Sequence, residues 1–353
     1  MATLQDIADR VGVSTVTVSK VLRGKVKGSW ARSAERVQQI HKVAEELGYQ
    51  VDWRARALKT RRTHMIGLLN TDRPETRLHD PRLLSGLIET LGNAGYSAVF
   101  YRVPGKRTHA SFADTRFDGV IIDYHIEPEE IALIEQANLP AVIVNAPSAS
   151  GIPSVMPDHI LAGALAARHL IDKGHRRIGY VQSMVRESKL YPRHMIKMWR
   201  EGIRHEMARA GVADDYIDVV PNDDMYDNGP AAFVPQLREL LSRPDRPTAL
   251  IVNQPGRSIE LVLQPLEAMG LRCPEDLSVI SMGADPALRW FKPSVTCVEI
   301  PFYQLGQVAA RTLLERIDPG SVQNIGETPI ELPVNLIARD STGRVPKQVK
   351  LTS

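Results

Sequence analysis

Residues 3–24 read TLQDIADRVGVSTVTVSKVLRG, and their spacing specifies two short helices joined by a tight turn. Leu4, Ile7, Ala8 and Val11 recur at i, i+3, i+4 and i+7, one face of a helix. Thr3 followed by Asp6 has capping-box form, with an acid where Glu or Gln is usual. Gly12 suits the positive φ that ends the first helix, because no Cβ is present to clash. Ser14 is a good N-cap for a second helix from Thr15 to about Arg23. There Val18, Val21 and Leu22 form the inner face. Thr15, Val16, Thr17, Ser19, Lys20 and Arg23 are left as an outer surface of small, hydroxylated and basic groups. A helix lying in a DNA major groove needs such a surface, since short groups allow approach while hydroxyls and cations meet phosphates and base edges. An ordinary helical hairpin with a solvated face is the alternative. Cap, turn glycine and basic face together favour a DNA-reading helix-turn-helix.

Outward from this stretch, the basic loop KVKGS leads to a third helix expected from about Trp30 to Leu47. It is patterned by Val37, Ile40, Val43, Ala44 and Leu47, and Gly48 stops it. Residues 1–49 thus form a small all-α head. Residues 50–64 form a polar linker with four arginines and a lysine around a helix-compatible core, Trp53–Lys59. The net charge of +3 is uneven: residues 1–64 carry 13 Lys/Arg against 6 Asp/Glu, leaving the remainder net negative. A basic head on a mildly acidic body suits a head that binds a polyanion.

From Met65 the pattern alternates between strands and helices, which specifies parallel doubly wound sheets. MIGLLN, YSAVFYRV, FDGVIID and LPAVIVN are strands, with helices near 83–94 and 128–137, and IPSVMPD is a crossing segment. The rhythm restarts after Asp158. Helices at 159–173, 193–210, 230–242 and 256–269 alternate with the strands RIGYVQS, YIDVVP, ALIVN and LSVISM. Ligands of such sheets sit beyond the strand carboxyl ends. The candidates there are Asn70, Thr71, Asp72, Asp123, Tyr124, Asn145, Asp158, Trp199, Arg200, Asn253, Gln254 and Trp290. Asp158 is equally a cap for helix 159–173, and His175 reads as a structural turn residue.

IADRVGVSTVTVSKVLRG, ERVQQIHKVAEELGY and RARALKTRRTHMIGLL resemble the head of LacI/GalR-type bacterial transcriptional regulators. HLIDKGHRRIGYVQ, LEAMGLRCPEDLSVIS, LGQVAARTLLERI and PVNLIARDST resemble the body, so nearly the whole chain is covered. The resemblance implies a helix-turn-helix head (1–49), a hinge (50–64), an α/β periplasmic-binding-protein-like body of two doubly wound lobes (65–340) and a tail (341–353). Each lobe is then discontinuous: about 65–157 with 297–325, and about 158–296 with 328–340. It implies a homodimeric repressor of carbohydrate-related genes on a pseudo-palindromic operator, with a carbohydrate-derived effector between the lobes. A regulator with weak effector dependence, or a structural DNA binder, is the alternative. Thr15, Val16 and Lys20 are expected to read bases, Val16 on a thymine methyl and Lys20 on guanine O6/N7. Ser14, Thr17, Ser19 and Arg23 are expected to hold phosphates. Leu58 matches the leucine that wedges into the minor groove, where Ala55 keeps the hinge slim. Helices 83–94 and 256–269 are implied at the dimer surface.

Three sugar-reading positions of the family are changed. Its arginine three residues before a helix glycine, here Gly202, falls on Trp199. Its acid after the strand VIGF falls on Gly283 and Ala284, and its Asn-Asp pair reads Asn253-Gln254. The expected effector is therefore something other than a simple monosaccharide, or effector dependence is weak; tight binding of free glucose, galactose or ribose in calorimetry would contradict this.

Nucleophile elbow, P-loop, paired metal-ligand motif and GxGxxG after a strand are all absent from the sequence, so neither enzyme, cofactor nor metal is expected. Cys273 and Cys297 carry no metal-type spacing, no apolar run approaches the ~20 residues of a membrane span, and the N-terminus does not read as a signal peptide. A cytoplasmic protein with no membrane partner is expected.

Overall fold

A computed structural model of the chain describes residues 2–22, 31–49, 62–71, 80–103, 117–123, 128–148, 151–182, 193–219, 233–253, 257–318 and 328–346. The chain divides into two units, residues 1–63 and 64–353.

The first unit contains α1 (Leu4–Val11), α2 (Thr15–Leu22) and α3 (Ala31–Glu46). They close on a core of Ile7, Ala8, Val18, Val21, Ile40, Val43 and Ala44, the apolar positions picked out by helical spacing. Helix α3 begins at Ala31, one residue after the expected start at Trp30, which lies outside the described residues.

The second unit holds two six-stranded sheets. The strands are β1 (Met65–Thr71), β2 (Ser97–Val103), β3 (Gly119–Asp123), β4 (Ala141–Val144), β5 (Ser154–Pro157), β6 (Ile178–Val181), β7 (Tyr216–Val219), β8 (Ala249–Asn253), β9 (Ser278–Met282), β10 (Thr296–Glu299), β11 (Ile330–Leu332) and β12 (Asn335–Ile337). The first sheet runs β11-β5-β4-β3-β1-β2 and the second β12-β10-β9-β8-β6-β7. Every pairing is parallel except β10 with β12. Both orders reverse direction beside the first strand of the lobe, between β1 and β3 and between β6 and β8, where a crevice opens at the carboxyl ends.

The helices of this unit are α4 (Pro81–Asn93), α5 (Pro128–Gln136), α6 (His159–Asp172), α7 (Arg193–Arg209), α8 (Phe233–Ser242), α9 (Arg257–Ala268) and α10 (Phe302–Ile317). Strand residues alternate between the two sheet faces. In β8, Ala249 and Ile251 join the core that includes α6 and α7, whereas Leu250 and Val252 join the core shared with α8 and α9.

Among the described residues each lobe contains a helix pair in backbone contact. A Cβ added at Gly202 of α7 would lie 2.0 Å from the Ile160 carbonyl oxygen, and one at Gly163 of α6 would lie 2.1 Å from that of Trp199. In the other lobe a Cβ at Gly86 of α4 would meet the Tyr303 carbonyl oxygen at 2.1 Å. Only glycine permits such crossings.

The lobe boundaries differ from those expected. The return to the first lobe was placed at 297 and the return to the second at 328. Instead β10 is still in the second sheet, where Cys297 pairs with Ser281 and Ile337. The chain rejoins the first lobe with α10 and remains there through β11, which pairs with β5. Burial decides it, since Thr296, Cys297 and Val298 are fully enclosed in the second lobe. The crossing segment IPSVMPD contains a strand, β5, completing the first sheet. Residues 341–346 are not a free tail either. Ser341 is fully buried, donates to the Val279 carbonyl at 2.6 Å and accepts from Thr296 N at 2.8 Å.

Candidate DNA-reading surface and inter-lobe site

In the head, Thr3 N donates to Asp6 Oδ2 at 2.7 Å and Asp6 N donates back to Thr3 Oγ1 at 3.3 Å, so the capping box is closed. Gly12 takes φ +74°, and its N–H returns to the Ala8 carbonyl at 2.9 Å. Ser14 Oγ accepts from Thr17 N at 3.2 Å and lies 2.9 Å from Thr17 Oγ1. These bonds fix where α2 begins and hence which side it shows. Val18 and Val21 face inward; Val16 is 61% exposed, and Lys20, one turn on, is exposed beside it. Thr15, Thr17 and Ser19 are half-buried and Ser14 is exposed. Arg23 and the hinge residues Ala55 and Leu58 lie outside the described residues.

In the body, the structure brings several sequence candidates to the carboxyl ends of the strands. Asn145, 2% exposed and at φ +62°, donates through Nδ2 to Asp123 Oδ1 at 3.0 Å. Asp158 accepts from Leu161 N at 2.8 Å, which makes it the cap of α6. Asn253 ends β8 in the row of Ala249 and Ile251, on the side of α6 and α7. It is 1% exposed, and neither its Oδ1 nor its Nδ2 has a hydrogen-bond partner among the described residues. Asn70 is the next-to-last residue of β1, opposite Arg102, and Asp72, Tyr124 and Gln254 fall outside the described residues. Trp290 caps a short 3₁₀ turn, Pro286–Arg289, and is 79% exposed. Trp199 goes the other way. It is 4% exposed within the α6–α7 core, its ring edge on His159 with centroids 5.7 Å apart.

Sequence reasoning missed the groups around Trp199. His159 opens α6 and is 1% exposed; burial, followed by the neighbouring His194, drives its imidazole down to about 3. His194, in the first turn of α7, lies 3.0 Å through Nε2 from the Asn145 carbonyl oxygen. A carbonyl only accepts, so Nε2 carries the proton in this bond, which ties the second lobe to the first. A second tie is made by Arg82 of α4. It pairs with Asp80, lies 5.1 Å over the Phe302 ring and donates through Nη1 to the Ala284 carbonyl of the other lobe at 3.0 Å. No linear motif marks these residues, because partners 35 to 202 positions apart make the site.

Arg200 also lies on α7. It pairs with Asp218, which also accepts from Gln182 Nε2 at 2.8 Å. His175 is structural: 1% exposed, it contacts Thr248 Oγ1, Ser278 Oγ and the Gly343 carbonyl, and burial lowers it to about 4. Among the described residues no group of three His, Cys, Asp or Glu is placed to hold a metal, and no helix is long and apolar enough to cross a membrane.

Residues 3–52 match the family model "Bacterial regulatory proteins, lacI family", and residues 167–342 match "Periplasmic binding protein-like domain". The HTH-type transcriptional repressor PurR of Serratia proteamaculans is 30% identical over 333 residues, covering 90% of this chain and 91% of that protein. The ribose operon repressor of Escherichia coli is 29% identical over 334 residues, covering 92% and 95%. Among solved structures, the Lac repressor dimer bound to operator and the anti-inducer ONPF superposes with a TM-score of 0.74 at 22% identity, covering 97% of this chain and 99% of that one. The complex of the regulator CelR with cellobiose gives 0.63 at 24% identity, covering 97% and 100%. With a matching head, a matching body and an end-to-end relative, the chain belongs to the LacI family of bacterial regulatory proteins.

Proposed function

We propose that this protein is a sequence-specific DNA-binding repressor of transcription, that it acts in the cytoplasm as a homodimer on a pseudo-palindromic operator, and that a carbohydrate-derived molecule between its lobes sets how well it binds. It catalyses no reaction. The observation that carries the reading is the surface of α2, where exposed Val16 and Lys20 sit one turn apart on a helix whose start is fixed by the Ser14 cap. An eight-residue helix reaches few base pairs, and dyad symmetry doubles its contacts.

Thr15, Val16 and Lys20 read bases; Ser14, Thr17, Ser19 and Arg23 hold phosphates; Ala55 and Leu58 enter the minor groove as a hinge. The effector meets the strand ends, with Asn70, Asp72, Asp123, Tyr124, Asn145, Trp199, Asn253 and Gln254 as its contacts. Asp158 serves the site by capping α6. An effector that changes how the lobes are tied alters operator affinity, and operator alters effector affinity by the same factor. Footprinting on genomic DNA tests the reading: a discrete protected palindrome supports it, and diffuse protection of all sequences refutes it.

A further inference from the structure

The lobes meet through bonds between the chain's own atoms, and the bond made by Arg82 is preorganised on both sides. Two first-lobe groups fix its guanidinium. Nε and Nη2 donate to the two carboxylate oxygens of Asp80 at 2.9 and 2.8 Å, and the group lies 5.1 Å over the Phe302 ring. Asp80 is held in turn, because it caps α4 by accepting from Arg82 N at 2.9 Å. A planar fork fixed in this way loses little freedom when its remaining arm, Nη1, makes a bond.

The second lobe is shaped to receive that arm. Gly283 takes φ +112°, in the left-handed region that favours glycine. Its N–H donates to the Val298 carbonyl at 3.0 Å, and Ser281 Oγ donates to its carbonyl at 3.1 Å. The turn so held presents the carbonyl of buried Ala284, which Arg82 Nη1 meets at 3.0 Å. Charge supports the bond. Asp80 does most to hold the guanidinium above its ordinary value, and Glu299 at the end of β10 and Asp285 beside Ala284 act in the same direction. Both of these acids belong to the second lobe, so a first-lobe cation faces two second-lobe anions across the joint. The other tie, from His194 Nε2 to the Asn145 carbonyl, runs in the opposite sense, with its donor on the second lobe. Two ties at separate points fix the orientation of the lobes as well as their distance, and neither needs a ligand to complete it.

We infer that Arg82 is a positioning residue that latches the first lobe to the second, so that the chain sets the spacing of its lobes, and with it its operator affinity, before any effector arrives. This rests on the reading of the chain as an effector-responsive regulator. An effector then acts on a joint that is already made, and only through its differential affinity for the joined and parted arrangements.

Full-length wild type, Arg82→Met, Arg82→Lys and Glu299→Gln are compared by small-angle X-ray scattering and by titration of operator DNA. Methionine keeps an apolar stem over Phe302 and removes the fork. Its radius of gyration is expected to exceed the wild-type value. Its operator affinity is expected to change by about threefold or more, the scale of one charge-assisted bond discounted for partial exposure. Lysine, which keeps the charge and gives up the fork, is expected to fall between the two. Glu299→Gln is expected to shift both readouts in the direction of Arg82→Met and to add nothing in an Arg82→Met background, a coupling that a merely structural residue would not show. Should Arg82→Met unfold the body, the lysine and glutamine variants carry the same comparison. The inference is overturned if a folded Arg82→Met keeps the wild-type radius of gyration, or keeps the operator affinity within about twofold. Scattering needs no DNA: if no operator is found, the regulator reading fails while the radius of gyration still decides whether Arg82 holds the lobes.

Discussion

Replacing Gly202 by alanine tests the helix contact on which the second lobe's site is built. The new Cβ would lie 2.0 Å from the Ile160 carbonyl oxygen and 2.9 Å from Ala164 N. An ordinary C···O contact is about 3.3 Å, so α7 must move roughly 1.3 Å away from α6. The obstacle is backbone on both sides and no rotamer change relieves it. Overpacking of this kind costs about 3 kcal/mol, the upper part of its usual range. For a unit of this size that lowers the thermal transition by roughly 5 °C. Gly92 is the control: it holds an exposed position near the end of α4, and its added Cβ would meet nothing within 4 Å. There alanine gains helix propensity of about 0.5–1 kcal/mol, so Gly92→Ala raises the transition. Scanning calorimetry of the two variants reads opposite signs. A Gly202→Ala transition at or above the wild-type value would refute the backbone-contact argument.

Lys20→Ala is expected to relax base preference at one operator position by about 1–3 kcal/mol, while Arg23→Ala weakens all sequences alike and reduces the salt slope by about 1; binding titrations against a base-substituted operator series separate the two. Acid should destabilise the body above the carboxylate range. His159 and His175 are held near 3 and 4, below the unfolded value of about 6.5, so on acidification the unfolded chain takes up protons that the folded chain refuses. Stability is full above pH 7 and falls from pH 6.5 toward 4 by roughly 1.4 kcal/mol per histidine per pH unit. A denaturation midpoint that stays constant from pH 7.5 to 5 would contradict both burials. Thr3→Ala opens the capping box and costs the head about 1 kcal/mol, seen as a lowered melting temperature of the head with the body transition unmoved.

The head was legible because its signals are local. Thr3 with Asp6, Gly12 and Ser14 each act within four residues, and the structure forms the same caps and turn. Strand–helix alternation likewise gave the two sheets, since continuous apolar runs such as ALIVN are fully buried on both faces. The returns between lobes were not legible. β10, β11 and β12 are three or four residues long, and their membership is fixed by pairing with strands far away in sequence. The surroundings of Trp199 were not legible either, because His159 and its own neighbour His194 belong to two helices whose crossing depends on Gly163 and Gly202.

The central claim is that two copies of this chain read one symmetric DNA site. Full-length protein, used first to select duplexes from a random pool, is then sedimented with the selected duplex and with the same duplex carrying one scrambled half-site. The account predicts two chains per selected duplex and a large loss of affinity when either half is scrambled. One chain per duplex, or equal binding to both duplexes at moderate salt, would contradict it.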